Sequence, residues 1–199
     1  MKFKGEFYNI MPIVNMPSVI VHGILSNTIV KRKVPGSKSV AMQLIQKKRD
    51  SIEVPNGLQL HNYANLYFDA RNPMMYILKT AGKEQELCVL TISADILQIA
   101  DVVLCDQNAS SSKYARFFTS DQIDEIDFSK IYARDWTHPN NKPAYYEHKS
   151  TKCAEVLVPH FVPPNYILSA HVVNLKAKKL LQQAGFTHNI MITPDMFFC

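Results

Sequence analysis

One stretch constrains the fold of this chain more than any other: residues 49–76, which read RDSIEVPNGLQLHNYANLYFDARNPMMY. Its centre is a half-apolar, aromatic run, residues 61–68, with an arginine on each side, Arg49 and Arg71. The pair Asn72-Pro73 that follows is a signal for the start of a helix, because asparagine caps well and proline suits the first turn. The pattern predicts a strand, a turn and a helix, an arrangement that commonly forms the floor of a pocket. The flanking arginines lie where a phosphate-bearing ligand would bind.

Length and composition indicate a single domain, residues 1–199, because 47% hydrophobic residues in a chain of 199 supply one sizeable core. The sequence has no run of about 18 apolar residues and no apolar segment typical of a signal peptide near its start. We therefore expect a cytoplasmic protein with no membrane partner. The four cysteines are widely spaced and form no CxxC motif, which favours reduced, mostly buried thiols and no metal site. We also expect a monomer.

The order of apolar and polar segments predicts an α+β domain rather than a regular alternation of strands and helices. Strands are predicted over Phe7–Val14, Leu58–Phe68, Glu86–Ile92, Asp101–Cys105, Cys153–Val158, Tyr166–Val173 and Ile190–Thr193. Helices are predicted over Met16–Gly23, Ser39–Asp50, Pro73–Lys79, Phe128–Arg134 and Asn174–Gly185. Val30–Ser37 is predicted as a basic loop and Thr137–Lys152 as a long polar loop, and loops of that length are often functional.

Basic residues are concentrated between Thr28 and Arg49, a segment that contains no acidic residue. Its members are Lys31, Arg32, Lys33, Lys38, Lys47, Lys48 and Arg49. Such a block is a suitable footprint for a polyanion, and a solvated loop followed by a solvated helix face explains it equally well. The charge pattern alone leaves both interpretations open.

Glu155 is the residue whose surroundings most favour chemistry, because it lies within the apolar run Ala-Glu-Val-Leu-Val. A glutamate there is costly to bury unless it is paired or works at the edge of a pocket. The alternative is a glutamate at the end of a strand that faces solvent. Other signatures of catalysis or nucleotide binding are absent from the sequence, including GxGxxG, the P-loop, HExxH and GxSxG.

Taken together, these segments resemble the DarT toxins, bacterial NAD-dependent enzymes that ADP-ribosylate bases in single-stranded DNA. The resemblance spans nearly the whole chain. It is carried by FYNI with NMPSVI and HGIL near the start, IQKKR at 45–49, LHNY with LYF and RNPMM at 60–75, ARFF at 115–118 and AEVLV at 154–158.

The resemblance implies the fold of ADP-ribosyltransferases, an α+β domain with a split, mixed but mostly antiparallel β-sheet core and surrounding helices. It implies a catalytic pair, Arg49 and Glu155. It also implies NAD+ as co-substrate, with contacts from Asn9, Met11, His22, Gly23, Leu25, Asn27, Tyr67 and Arg71. In this interpretation Glu155 stabilises positive charge on the ribose as nicotinamide leaves, and Arg49 holds phosphates or positions the base.

Single-stranded DNA is the implied partner, and the loop before Glu155 is its implied recognition segment. Candidate DNA contacts are Lys31, Arg32, Lys33, Lys47, Lys48, Arg116, Trp136, Tyr145, Tyr146 and His148, which combine positive charge with rings able to stack on bases. The family also implies a toxin with a cognate antitoxin that reverses the modification, either a macrodomain protein or a NADAR-type protein.

Two positions depart from the usual family pattern. Asn9 stands where the family usually has a histidine, and an amide can still exchange hydrogen bonds with a ribose hydroxyl. Residues 64–73, ANLYFDARNP, differ from the thymidine-modifying branch and resemble the guanine-modifying branch more closely. The resemblance therefore favours guanine as the target base, with thymine as the alternative.

Two other functions remain compatible with the residues. The same NAD pocket would serve an ADP-ribosyltransferase that acts on RNA or on a protein side chain. A basic nucleic-acid-binding module with no catalytic activity would also explain the charge distribution.

Overall fold

The computed structural model describes residues 2–40, 43–111 and 114–199, with the backbone alone for residues 43–45. Within them the strands are β1 (Glu6–Pro12), β2 (Ile24–Leu25), β3 (Tyr63–Tyr67), β4 (Leu87–Ser93), β5 (Val103–Cys105), β6 (Phe117–Thr119), β7 (Glu155–Pro159), β8 (Phe161–Val162), β9 (Ile167–Val172) and β10 (Asn189–Ile192). The helices are α1 (Met16–His22), α2 (Asn27–Lys33), α3 (Gln43–Arg49), α4 (Pro73–Thr80), α5 (Phe128–Ile131), α6 (Lys142–Thr151) and α7 (Leu175–Gln183).

One large sheet organises the molecule, with the strand order β10-β9-β4-β1-β3-β7-β5-β6. Neighbouring strands in it are antiparallel, apart from the parallel pair β9 and β10 at one edge. Between β1 and β3 the register contains one pair, Tyr8 with Tyr67, whereas β1 and β4 pair over seven residues. The sheet therefore divides between β1 and β3, and the predicted split α+β fold is confirmed.

The core lies around β4, whose residues are buried from Leu87 to Ile92. A cluster of phenylalanines extends it beneath β1 and β3. Phe7 stacks on Phe3 with ring centroids 4.8 Å apart, and Phe68 meets both Phe7 and Phe128 edge-on at 5.4 Å. Such pairs contribute about 0.5–1.5 kcal/mol each beyond their burial, so this cluster fixes where β3 ends and α4 begins.

The helix that follows β3 begins as the sequence predicts. The side chain of Asn72 accepts hydrogen bonds from the backbone N–H groups of Met74 and Met75, and Pro73 occupies the first turn. An asparagine cap of this kind stabilises a helix by about 1 kcal/mol. The predicted start of this helix is therefore confirmed. The strand predicted over Leu58–Phe68 is shorter than expected, because Leu60–Asn62 forms a 3-10 helix and β3 begins at Tyr63.

Two segments predicted as loops are helical. Residues 27–33, which overlap the predicted basic loop, form α2, and none of its residues is buried. Residues 142–151, within the predicted long loop, form α6, which is capped by the Asn141 side chain and carries Pro143 in its first turn. The predicted helix over 39–50 is described from Gln43 to Arg49, and residues 41 and 42 lie outside the described part of the chain.

Candidate active site

A cavity of about 950 Å³ opens between the split sheet and the helices on one side of it. Its wall combines β1, the turn after α1, α2, the end of α3, β3, the start of α4, the loop after β5 and the end of α6. Binding sites for small molecules and cofactors typically occupy about 300–1,000 Å³, so the cavity can take a dinucleotide.

Arg49 and Glu155 meet beside this cavity. Arg49 is the last residue of α3, and Glu155 is the first residue of β7, where it pairs across the sheet with Tyr67 on one side and Cys105 on the other. The guanidinium donates from Nη1 to Oε1 and from Nη2 to Oε2, both at 3.0 Å. Two residues separated by 106 positions thus form a bidentate pair, the strongest arrangement for arginine and carboxylate.

The two members of the pair differ in their access to the cavity. Arg49 lines its wall and is 6% exposed, whereas Glu155 is 0% exposed and lies behind the guanidinium. The alternative of a solvent-facing glutamate at a strand end is therefore wrong, and the carboxylate is set deeper than a pocket edge. Burial acts to lower the pKa of Arg49, but the Glu155 carboxylate outweighs it and raises that pKa, so the guanidinium stays charged.

Tyr67 and Asn9 flank the pair across the split in the sheet. Tyr67 is 6% exposed, lines the cavity and donates its hydroxyl to the sulfur of Met74 at 3.4 Å. Burial, together with the nearby Glu155, raises the pKa of Tyr67 well above its usual value, so the hydroxyl remains a donor. Asn9 donates its side-chain amide to the carbonyl of Asn65 at 3.2 Å and so bridges β1 and β3 where their backbones separate.

Asn27 on this wall has an unused hydrogen-bonding capacity. Its amide donates to the side-chain oxygen of Gln46 at 3.2 Å, while its own Oδ1 is buried and has no partner among the described residues. An acceptor left in this state costs about 1–3 kcal/mol. Because the atom has almost no accessible surface, a ligand N–H can use it only if the Asn27 side chain turns toward the cavity.

Asp50 and His61 lie next to the Arg49–Glu155 pair, and neither was predicted as a site residue. The Asp50 carboxylate is 2.7 Å from His61 Nδ1, and His61 lines the cavity while its Nε2 has no partner within the described chain. Burial lowers the pKa of His61, and the positive charges of Arg49 and Lys31 lower it further. The Asp50 carboxylate raises this pKa but does not outweigh them. The contact ties the end of α3 to the residues just before β3.

Most of the predicted NAD contacts lie on the cavity wall. Six of them do: Asn9, Met11, Gly23, Leu25, Asn27 and Tyr67. His22 is exposed at the end of α1 and lies outside the wall that the described residues form. Gly23 is required where it stands, because φ is +74° and a Cβ would collide with the carbonyl oxygen of Val162.

Arg71 requires a correction. Its guanidinium donates to the carbonyl of Asp195 at 3.1 Å and to that of Arg134 at 2.9 Å, and it lies 4.1 Å from the ring centroid of Phe198. It is outside the described cavity wall. Arg71 therefore fastens the C-terminal segment to the fold instead of facing a phosphate.

The predicted DNA contacts also divide into residues on the cavity wall and residues away from it. Lys31, Arg32, Lys33, Lys47 and Lys48 are exposed, and Lys48 also lines the cavity. Tyr146 lines the cavity and is 65% exposed, while Tyr145 is half-buried and off the described wall. Arg116 is exposed but is paired with Asp106 at 2.8 Å.

Trp136 and His148 are buried, which corrects their assignment as rings that stack on bases. Trp136 packs edge-on against Tyr76 and Phe198, with centroids 6.2 and 5.8 Å away. His148 is held between His138 and the carbonyl of Lys130, each at 3.0 Å. Both rings are occupied by the protein itself.

Among the described residues, no cluster of three His, Cys, Asp or Glu side chains is placed to hold a metal ion. Cys88, Cys105 and Cys153 are free and buried and Cys199 is free and exposed, as the spacing of the cysteines predicts. Within the same described ranges, no helix has the length and apolar character needed to cross a membrane.

Comparison with known families decides the relationship. The family described as "ssDNA thymidine ADP-ribosyltransferase, DarT" matches residues 8–198. The chain belongs to the DarT family. The resemblance inferred from the motifs is therefore confirmed.

A relative from Thermosipho africanus supports the same assignment. The chain is 32% identical over 194 residues to its "DNA ADP-ribosyl transferase-DNA ADP-ribosyl glycohydrolase fusion protein". That match covers 97% of the chain but 49% of the fusion protein, so the chain spans about half the length of this relative. The solved structure of Thermosipho africanus DarTG in complex with ADP-ribose superposes with a TM-score of 0.81 at 30% identity, over 98% of the chain and 51% of that structure.

A second DarT-family relative comes from Thermus sp. 2.9. Its "DNA ADP-ribosyl transferase" is 29% identical over 162 residues, which cover 76% of the chain and 73% of that protein. Its structure in complex with ADP-ribosylated single-stranded DNA gives a TM-score of 0.81 at 24% identity, over 98% of each chain. Its structure with NAD+ gives 0.75 at 24% identity, over 96% of each. At this identity the superpositions establish the shared fold.

Proposed function

We propose that this chain transfers ADP-ribose from NAD+ to a nucleobase in single-stranded DNA, with release of nicotinamide. The observation that carries the proposal is the buried Arg49–Glu155 pair, whose arginine lines a cavity of dinucleotide size, in a member of the DarT family. The relatives whose descriptions name DNA ADP-ribosyl transferase, and the Thermus structures with NAD+ and with ADP-ribosylated single-stranded DNA, support it.

NAD+ supplies the ADP-ribosyl group, with the ribose–nicotinamide bond breaking as the bond from ribose to a base nitrogen forms. The Glu155 carboxylate stabilises positive charge that develops on the ribose, because it is held in a site that excludes water. It can also accept the proton that the attacking base nitrogen loses, an assistance typically worth about 10²–10⁴-fold.

Arg49 has two roles in this proposal. It holds the buried Glu155 side chain in place, because each of its two outer nitrogens donates to one carboxylate oxygen. It also faces the cavity, where its planar fork can hold a phosphate or orient the base. Glu155 is 0% exposed behind the guanidinium, so a ribose hydroxyl can reach its carboxylate only when the guanidinium moves aside. Substrate binding and exposure of the carboxylate are therefore coupled.

The Asn27 and Tyr67 side chains are the best-supported NAD contacts. The unpaired Oδ1 of Asn27 accepts an N–H of the ligand once its side chain turns toward the cavity, and Tyr67 supplies a hydroxyl donor that remains protonated. Asn9 replaces the usual histidine and contacts a ribose hydroxyl while still bridging β1 and β3. The exposed basic residues of α2 and the end of α3 then bind the DNA backbone.

The preferred base and the antitoxin belong to the same proposal. Residues 64–73 favour guanine, while the description of the family names thymidine, so thymine is the alternative. A DNA ADP-ribosyl glycohydrolase, macrodomain or NADAR-type, would reverse the modification and act as antitoxin. The Thermosipho relative supports such a partner, because its description joins both activities in one chain.

The test is incubation with isotopically labelled NAD+ and, separately, single-stranded DNA, the matched duplex, RNA of the same sequence and the protein alone. Label on the single-stranded DNA supports the proposal. Label on RNA or on protein selects one of the other ADP-ribosyltransferase functions, and binding without any transfer selects a non-catalytic module. Digestion of the labelled DNA to nucleosides then identifies the modified base. Label on the guanine nucleoside is expected. Labelled thymidine would overturn only the assignment of guanine and would leave the proposed transfer to DNA intact.

A further inference from the structure

Two exposed tyrosines line the same cavity as Arg49. Tyr114 is 78% exposed and Tyr146 is 65% exposed, and both belong to the wall. Large aromatic side chains that remain exposed at the mouth of a cavity are favourable sites for binding, because covering them with a flat ligand releases water from apolar surface.

Among the described residues, the loop after β5 and the end of α6 also bring hydroxyl groups and an ammonium to the cavity wall. Ser110, Ser111, Ser150 and Lys149 all line the cavity. The hydroxyls of Ser111 and Ser150 are 2.9 Å apart, which joins the loop after β5 to the end of α6. We refer to Tyr114, Tyr146, Ser110, Ser111, Lys149 and Ser150 as the serine–tyrosine wall.

The backbone holds this wall in place. Asn108 donates its N–H to the carbonyl of Ser150 at 3.0 Å. Its side chain accepts from both the N–H and the hydroxyl of Ser110, at 2.9 and 2.6 Å. The loop is therefore fastened to α6 before any ligand arrives.

The topology places the serine–tyrosine wall beside the catalytic carboxylate. Cys105, at the end of β5, pairs with Glu155 at the start of β7, and the loop that carries Ser110 leaves directly from β5. The end of α6 leads into β7, so Ser150 lies five residues before Glu155. A strand that reaches Glu155 through this part of the cavity therefore passes this wall.

We propose that the serine–tyrosine wall is a binding subsite for the nucleotides that flank the modified base in single-stranded DNA. Tyr114 and Tyr146 stack on unpaired bases, and Lys149 with the serine hydroxyls binds the phosphate between them. The inference rests on the proposed function, because it assigns the DNA to the same cavity. It adds a subsite whose rings select unpaired strands, since bases within a duplex cannot offer their faces.

Fluorescence anisotropy with a labelled single-stranded oligonucleotide tests the stacking. Tyr114→Ala and Tyr146→Ala are each expected to weaken binding roughly 5- to 150-fold, the equivalent of about 1–3 kcal/mol per stacked base. Tyr114→Phe and Tyr146→Phe keep the ring and are expected to bind within about twofold of wild type. Phe161→Ala is the matched control, because it removes an exposed ring that does not line the cavity formed by the described residues, and it is expected to bind like wild type.

The phosphate contact has a separate test. Lys149→Gln is expected to reduce the slope of log affinity against log salt concentration by about 0.7, the contribution of one phosphate contact on a single strand. Lys142→Gln is the control, because Lys142 is exposed at the start of the same helix and lies off the described wall. Equal slopes for Lys149→Gln and wild type would overturn the phosphate contact.

Binding and transfer measured side by side separate the two proposals. Wild-type affinity in both alanine variants, or equal losses for the alanine and phenylalanine variants, would overturn the stacking subsite even if wild type modifies DNA. If wild type transfers no ADP-ribose to any oligonucleotide, the proposed function fails, while the anisotropy series still reports whether the wall binds single strands.

Discussion

Removing one member of the Arg49–Glu155 pair should destabilise the protein far more than removing both. Arg49→Met removes the counter-charge of the Glu155 carboxylate, which is 0% exposed. Breaking a buried ion pair costs about 3–5 kcal/mol, so we expect a loss near the upper end, about 5 kcal/mol in the free energy of unfolding. Glu155→Leu leaves a guanidinium that still lines the cavity and can be hydrated there. Its loss is expected near the lower end, at about 3 kcal/mol.

The double variant Arg49→Met/Glu155→Leu replaces both charges by apolar side chains of similar volume. It is expected to lie within about 1 kcal/mol of wild type or to be more stable, because neither desolvated charge remains. Urea unfolding followed by circular dichroism measures all four proteins, and the slopes with urea should agree. For a domain of this size the single variants should also unfold roughly 6–20 °C below wild type.

All three variants are expected to be inactive in transfer, so the double variant separates catalysis from stability: it is folded and inactive. Two results would refute the reasoning. One is a loss below about 1 kcal/mol in both single variants, which would mean that the pair is not buried as described. The other is a double variant whose loss equals the sum of the single losses, because that would show no coupling between the two charges.

Three further predictions concern the scaffold around the site. Gly23→Ala should lower the free energy of unfolding by more than Gly82→Ala does. A Cβ at Gly82 meets nothing within 4 Å, so that control carries only the cost of a positive φ, about 1–2 kcal/mol. Equal losses of the two variants in urea unfolding would contradict this. Lys152→Ala should cost about 3 kcal/mol in the same assay, because the Lys152 ammonium is buried and paired with Asp69. Lys130 is paired with Glu147 but exposed, so Lys130→Ala should cost less than about 1 kcal/mol. Similar losses of the two variants would contradict this prediction. Burial lowers the pKa of His171, with Glu6 acting against this shift. Below a pH of about 6.5 the unfolded chain therefore binds more protons than the folded chain, so the free energy of unfolding falls as the pH is lowered. His171→Gln should show a smaller fall than wild type between pH of about 7.5 and 5.5, and an equal fall would contradict this.

The sequence was informative where a local signal and the fold agree. Asn72-Pro73 predicts the start of α4 because capping depends on neighbouring backbone groups. The unbroken apolar run in β4 predicts a buried strand, and Glu155 stands out because it interrupts a similar run in β7. The partnership of Glu155 with Arg49 came from the family motifs, since no local pattern connects residues 106 positions apart.

The helices α2 and α6 could not be read from periodicity. Amphipathic spacing is visible only when a helix buries a stripe of apolar residues. In α2 none of the seven residues is buried, and in α6 the buried residues are the polar His148 and Thr151. Instead, α6 is capped by Asn141, and α2 is held by side-chain hydrogen bonds from Asn27 and Thr28 to neighbouring segments. Their sequences therefore have the composition of loops.

The misassigned site residues share a cause in long-range packing. Arg71 and Trp136 both contact Phe198 in the C-terminal segment, more than 60 residues further along the chain. Their residue types suit ligand binding, but the protein's own carbonyls and rings occupy them. Tyr114 was missed for a different reason: no local pattern in the sequence marks it as a ligand contact, and only the fold brings it to the cavity.

The mass of a single-stranded oligonucleotide, measured after incubation with NAD+ and the protein, tests the central claim most directly. Wild type is expected to add the mass of one ADP-ribosyl unit to the oligonucleotide and to release an equal amount of nicotinamide. The Glu155→Gln variant, with its fold verified by circular dichroism, is expected to leave the mass unchanged. An unmodified oligonucleotide with wild type, or equal modification by wild type and Glu155→Gln, would contradict the account.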